Sequence, residues 1–166
     1  MEGSLCHEFE TDLAAANVWE VYGGLLVGQL IPKLLPELLS KVELGEGDGG
    51  VGTVLLVTTA PAPGTKGSAT YKEKFIKIDN ENYIKEAAVI EGGILDHGFR
   101  KYLMRIEIVR NEDKSSIIRS TIEYEVDEEH KSNASLASTN GLAAVAEAVT
   151  KYIKEHKSID RTPEQT

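Results

Sequence analysis

Cys6 is the only cysteine in the 166-residue sequence. One thiol can form no intramolecular disulfide and build no cysteine-based metal site. It suits a reducing compartment, and a cytoplasmic location is expected. Long apolar runs are also missing: none approaches the roughly 20 residues that a membrane-spanning helix requires. The opening residues, Met1-Glu2-Gly3-Ser4-Leu5, have neither the basic nor the apolar segment of a secretory signal. No long basic run occurs, and 18 Lys and Arg against 27 Asp and Glu leave a formal charge of −9. Such a surface repels a phosphate backbone, so neither nucleic acid nor membrane is expected as a partner. Neutral or cationic ligands suit it better, including amines protonated at neutral pH. His7, His130 and His156 are too scattered to suggest a metal site. No metal and no cofactor are expected. Internal repeats and low-complexity segments are absent too.

What remains is ordinary globular composition, 41% apolar and 27% charged. It is enough for one ligand-cavity domain over residues 1–157, followed by a tail at 158–166. Residues 4–10 alternate as a first strand, with Leu5, His7 and Phe9 on one face. Asp12 is placed to cap a helix through Ala14–Ala16 whose apolar side carries Val18, Trp19, Val21 and Tyr22. Gly23-Gly24 breaks it. A second short helix is expected around Ile31–Leu39, with Pro32 in its first turn. Strand patterns follow at 41–46, 52–59, 68–78, 83–91, 99–110 and 115–126, separated by Gly, Pro, Asn and Asp clusters. Short turns between consecutive strands imply an antiparallel meander. A long helix falls within 132–157, with Leu142, Val145, Ala146, Val149, Tyr152 and Ile153 on one face. Gly141 is its weak point and is expected to kink or delay it. The fold class is α+β.

The run Gly45-Glu46-Gly47-Asp48-Gly49-Gly50-Val51-Gly52-Thr53 is glycine-rich but lacks the Lys-Ser/Thr ending of a phosphate cradle, and it leads into a strand. A tight turn needing positive φ accounts for its glycines. This run resembles the glycine loop of plant pathogenesis-related class-10 proteins, the birch-pollen-allergen or Bet v 1-like superfamily. Tyr71–Phe75, Ile90–Gly93, Leu95-Asp96, Ser120–Tyr124 and Glu155–Lys157 extend the resemblance, in the right order, over nearly the whole chain. Within that superfamily the chain looks most like the norcoclaurine-synthase branch. The resemblance implies a helix-grip fold: a seven-stranded curved antiparallel sheet around the long C-terminal helix, two short helices in a V, and an internal hydrophobic cavity. Members bind flavonoids, hormones, cytokinins or alkaloids, and norcoclaurine synthases condense dopamine with an arylacetaldehyde.

Alternation in strand 68–78 turns Lys72 and Lys74 outward and Tyr71, Glu73 and Phe75 toward the cavity. A carboxylate facing an apolar cavity has a raised pKa and can move protons near neutrality. Lys85 lies on the next strand, where desolvation would make it an acid–base group or a Schiff-base nucleophile. Its direction depends on register. If Ile78 pairs with Tyr83, Lys85 faces away from Glu73; a longer loop or a bulge brings both inside. The resemblance implies that Tyr71, Glu73 and Lys85 match the tyrosine, glutamate and catalytic lysine of the synthases. Tyr102, Met104 and Ile106 alternate inward on strand 99–110, and Met104 occupies the position where the synthases carry an aspartate. A thioether cannot accept a proton, so the wall is greasier there. Ser120, Ile122 and Tyr124 are expected to face the same cavity, as are Val145 and Val149 of the long helix. His97 is weighed as a cavity-mouth acid–base group against an exposed turn histidine.

The leading expectation is a monomer or weak homodimer that holds an aromatic metabolite, most simply a benzylisoquinoline-type alkaloid, with residual acid–base chemistry. The alternatives are a Pictet–Spengler condensation of dopamine with 4-hydroxyphenylacetaldehyde, or an alkene–enone isomerisation in the morphinan branch. The acidic charge and the absence of a recognisable histidine pair argue against a ribonuclease.

Overall fold

The computed structural model describes residues 1–61, 69–112 and 114–161. Strand β1 (Glu2–Thr11) is followed by two short helices, α1 (Ala15–Tyr22) and α2 (Leu26–Leu34). Six strands follow: β2 (Leu39–Glu46), β3 (Val54–Thr59), β4 (Thr70–Asp79), β5 (Ile84–Gly92), β6 (Phe99–Glu112) and β7 (Ser115–Val126). Helix α3 (Asn140–Arg161) ends the described chain. Short 3-10 segments at Gly93–His97 and Glu128–Leu136 join β5 to β6 and β7 to α3. All seven strands form one antiparallel curved sheet in the order β1-β7-β6-β5-β4-β3-β2. The expected strands are all present, with ends moved by one to a few residues; Ser68, expected in β4, lies outside the described residues.

Alternation decides which face is buried. Ile118 on β7 and Ile108 on β6 are almost fully enclosed against Val18 of α1 and Val145, Ala146 and Val149 of α3, and Ile122 on β7 is buried on the same face. The opposite face carries charge ladders: Arg105 bridges Glu86 and Glu123, and Arg119 bridges Glu8 and Glu107. The hydrophobic stripe of α3 therefore seats where its 3.6-residue period predicts.

The helical details depart from expectation in several places. Asp12 does not cap α1: Ala14 precedes the helix without a side-chain cap, and Asp12 pairs instead with Lys154 of α3 at 2.7 Å. The second helix lies earlier than expected and carries Pro32 near its end, not in its first turn. It stops at Leu35 (φ −134°, ψ 65°), since Pro36 disfavours a helical conformation in the residue before it. Helix α3 begins at Asn140, so Gly141 lies in its first turn and not in its interior, and Ser138 Oγ accepts from Asn140 N at 3.1 Å just before it. Residues 158–161, expected in a tail, continue the helix, and 162–166 lie outside the described residues. In the glycine loop, Gly47, Gly49 and Gly52 have φ of 88°, 107° and 95°, which supports the turn reading of that run.

Candidate active site

Between the sheet, α2 and the start of α3 lies a cavity of about 330 Å³ with mostly apolar walls. Strand β4 supplies Tyr71, Glu73 and Phe75 to it, as its alternation requires, while Lys72 turns outward to pair with Glu91 at 3.1 Å. Strand β5 supplies Lys85, and β6 supplies Tyr102, Met104 and Ile106. Ile122 of β7 and Val145 of α3 complete the set of expected lining residues that reach the cavity.

The inward direction of Lys85 follows from the pairing of β4 with β5. Ile78 pairs with Lys85, not with Tyr83, and Asp79–Ile84 closes the turn. Two register shifts interrupt this ladder, one between Lys72 and Glu73 and one between Phe75 and Lys77. The skipped residues are Ile90 on β5 and Ile76 on β4, and both are exposed, at 46% and 44%. Glu73 and Ile78 are five residues apart and would face opposite ways on a regular strand. The extra residue at Ile76 restores their common face.

Lys85 is buried, with 6% of its surface accessible. Its Nζ donates to the carbonyls of Tyr22 at 3.0 Å and Gly24 at 2.8 Å and sits 3.9 Å from the centroid of the Phe75 ring. Burial brings its pKa down to about 8, opposed by the charge of Glu73. Glu73 keeps accessible surface only partially, and desolvation raises its pKa to about 6, against the pull of Lys85. Tyr71 is raised above the usual phenol range by desolvation, with the charge of Glu73 adding to it. Near neutral pH the cavity thus holds an acid and a base whose ordinary values have been drawn toward each other.

Four expected site residues do not line the cavity. Ser120 is fully buried but does not reach the cavity. Val149 is buried in the packing of α3 against α1. The Tyr124 ring lies against Phe99 (centroids 5.6 Å apart) and over Gly3 of the neighbouring strand, whose missing side chain leaves room for it. His97 is exposed, and its backbone carbonyl accepts from Asn133 Nδ2 at 2.9 Å. Strand phase identifies the face a residue points to, not its height along the strand, and height separates cavity from core here. Lining residues not anticipated include Leu55 and Val57 of β3 and Ala87 and Val89 of β5. Their alternation was a readable signal. The backbone carbonyls of Tyr22 and Gly24 had none, because they depend on the path of the chain between α1 and α2.

The family model for the pathogenesis-related protein Bet v 1 family matches residues 1–157. The chain belongs to the Bet v 1 family. Within it, this chain is similar to a norbelladine synthase from Narcissus pseudonarcissus, 51% identical over 95% of this chain and 96% of the relative. It is 40% identical to an S-norcoclaurine synthase from Thalictrum flavum subsp. glaucum, over 95% of this chain and 74% of that protein. A solved norcoclaurine synthase from Thalictrum flavum, in complex with dopamine and hydroxybenzaldehyde, superposes with a TM-score of 0.81 at 40% identity, covering 94% of this chain and 88% of that one. Relatives that are synthases by name favour the enzymatic alternative over ligand holding as the main role.

Proposed function

We propose that this Bet v 1-family chain is an enzyme that condenses an arylethylamine with an aromatic aldehyde in its cavity, as a step in alkaloid formation. The observation that carries this reading is the presence of both Glu73 and Lys85, each feeling the other's charge, in the lining of a mostly apolar cavity. The similarity to two synthases, one of them solved with an amine and an aldehyde, supports the substrate class.

The amine enters as an ammonium ion and must lose a proton to become a nucleophile. Glu73, largely ionised at neutral pH, takes it. The nitrogen lone pair then forms the C–N bond, and the carbonyl oxygen takes a proton from Lys85. An ammonium has three N–H groups, and two of those on Lys85 are committed to backbone carbonyls, which leaves one for the substrate. The new carbinolamine nitrogen returns a proton to Lys85, and Glu73 protonates the departing hydroxyl. Water and a protonated imine result, with both side chains restored. Those two carbonyl contacts favour the charged lysine, so Lys85 is an acid here and not a Schiff-base nucleophile. Met104 leaves Glu73 as the one carboxylate among the cavity-lining residues, which equips the site for imine formation better than for ring closure. One chain supplies the whole lining, so a monomer or weak homodimer suffices, and Cys6, an exposed lone thiol, fits a cytoplasmic setting.

Dopamine and hydroxybenzaldehyde, with borohydride trapping of the imine, provide the test. Trapped product should form faster than in buffer, and Lys85→Met should reduce the rate at least 100-fold. A wild-type rate equal to the buffer rate rejects the proposal. With 4-hydroxyphenylacetaldehyde as the aldehyde, Met104→Asp should raise the share of cyclised, optically active product.

A further inference from the structure

Lys85 owes its place to two segments far apart in sequence. It begins two residues after the β4–β5 turn, yet its Nζ is held by carbonyls at the end of α1 and in the following elbow. Those hydrogen bonds exist only while the turn and α1 keep a fixed spacing. Trp19, three residues before Tyr22 on α1, spans that gap. Its Nε1 donates to Asn80 Oδ1 in the turn at 2.9 Å, and its ring stacks on Tyr83 with centroids 5.3 Å apart and planes at 18°.

Tyr83 carries a second clue. Its φ is 56°, the left-handed region, and it is the only non-glycine residue there among the described residues. Glycine would adopt that conformation without strain. The turn itself does not call for tyrosine, since Asp79 already organises it by accepting from the backbone N–H groups of Glu81 and Asn82, both at 3.0 Å. The ring is what glycine could not supply. It stacks on Trp19 and also receives the Arg110 guanidinium, 4.2 Å from its centroid. The Tyr83 carbonyl meanwhile accepts from Ile108 N at 2.9 Å, which ties the same residue to β6. Neither Trp19 nor Tyr83 lines the cavity, so their service to the site is indirect.

We propose that Trp19, Asn80 and Tyr83 form a clasp between α1 and the β4–β5 turn, and that this clasp positions the Lys85 ammonium for proton donation. Its catalytic meaning rests on the condensation reading above, but its structural content can be measured without substrate. An ammonium held by two carbonyls in a buried site exchanges its protons slowly enough for nitrogen-15 NMR at pH 6, and Lys85→Met identifies the resonance by its loss. Tyr83→Gly removes the ring while relaxing the backbone, and Asn80→Ala removes the acceptor at an exposed position where folding is not at stake. Both should broaden or abolish the Lys85 resonance. In the dopamine and hydroxybenzaldehyde assay, both should lower kcat about tenfold or more while KM stays within twofold, as misplacement of a catalytic group does. Tyr83→Phe, which keeps the ring, should restore the resonance and the rate.

A Lys85 resonance of native width in both Tyr83→Gly and Asn80→Ala overturns the clasp, as does its absence from the wild-type protein. If the resonance responds as described but the wild-type protein does not condense the two substrates, the clasp stands and the condensation reading fails. Should Tyr83→Gly not fold, Asn80→Ala decides alone.

Discussion

Glu73 and Lys85 are each held in the less favourable charge state for a buried group, and the consequences can be measured residue by residue. With Glu73 near 6 and Lys85 near 8, the rate of condensation should follow a bell-shaped pH profile, its acid limb set by Glu73 and its alkaline limb by Lys85. Glu73→Gln should lower the rate and remove the acid limb. Stability should move the other way. The folded-state pKa of Glu73 lies above its ordinary value, so folding favours the protonated form. The resulting penalty is absent below about pH 4.5 and complete once pH has risen through 6. Replacing the carboxylate by an amide should therefore stabilise the protein by about 1–2 kcal/mol at pH 8 and by almost nothing at pH 4. Urea denaturation at the two pH values checks both the size and the sign. Tyr71, Glu73 and Phe75 were legible in the sequence because two outward lysines fixed the strand's phase. Lys85 was not legible from alternation, since its direction turns on one skipped residue 9 positions earlier.

At the scale of elements, period-2 and period-3.6 patterns located the strands and the buried face of α3, because both reflect which side meets the core. Capping signals served less well. Asp12 offered a helix cap but pairs with Lys154, and the glycine-bounded start of α2 carries no side-chain cap at all. For Asp12 a tertiary contact took the place of the local one. The glycine loop behaves as local rules require. A Cβ on Gly47 would lie 2.7 Å from Thr53 Oγ1 and 2.8 Å from Thr53 Cα, at φ 88°. Gly47→Ala should cost about 1–3 kcal/mol, while Gly50→Ala, whose Cβ would meet only Asp48 Oδ1 at 3.4 Å, should stay within about 0.5 kcal/mol. Thermal melts of the two variants make the comparison directly.

For the molecule as a whole, a cavity with one acid and one base is set in a chain of net charge −9. The surface field attracts a protonated amine and does nothing for a neutral aldehyde. Raising the salt from 50 to 500 mM screens that field, so KM for dopamine should rise severalfold while KM for hydroxybenzaldehyde holds steady. Equal responses of the two would show that the charge has no part in gathering substrate. Sequence reading placed Tyr71, Glu73 and Lys85 together, and all three line one pocket. The boundary between cavity and core was beyond it, because Ser120 and Ile122 share a strand face, yet only Ile122 lines the cavity.

Ile76 and Ile90 give the sheet a freedom that substitutions do not offer. Each is the surplus residue of a local mismatch in length between β4 and β5. Deleting either one would bring its flanking pairs into consecutive register, with Tyr71, Glu73, Phe75 and Lys85 still on the inner face. Such a shortened chain should fold and keep its full complement of reactive groups. The bow of the sheet at that point would flatten, since an unpaired residue is what bends the strand there. Ligand size preference should then shift toward smaller aldehydes, measurable as a change in relative kcat/KM across a graded series. Gain or loss of a single codon, ordinarily ruinous inside a strand, becomes at these two places a way to retailor the capacity of the pocket.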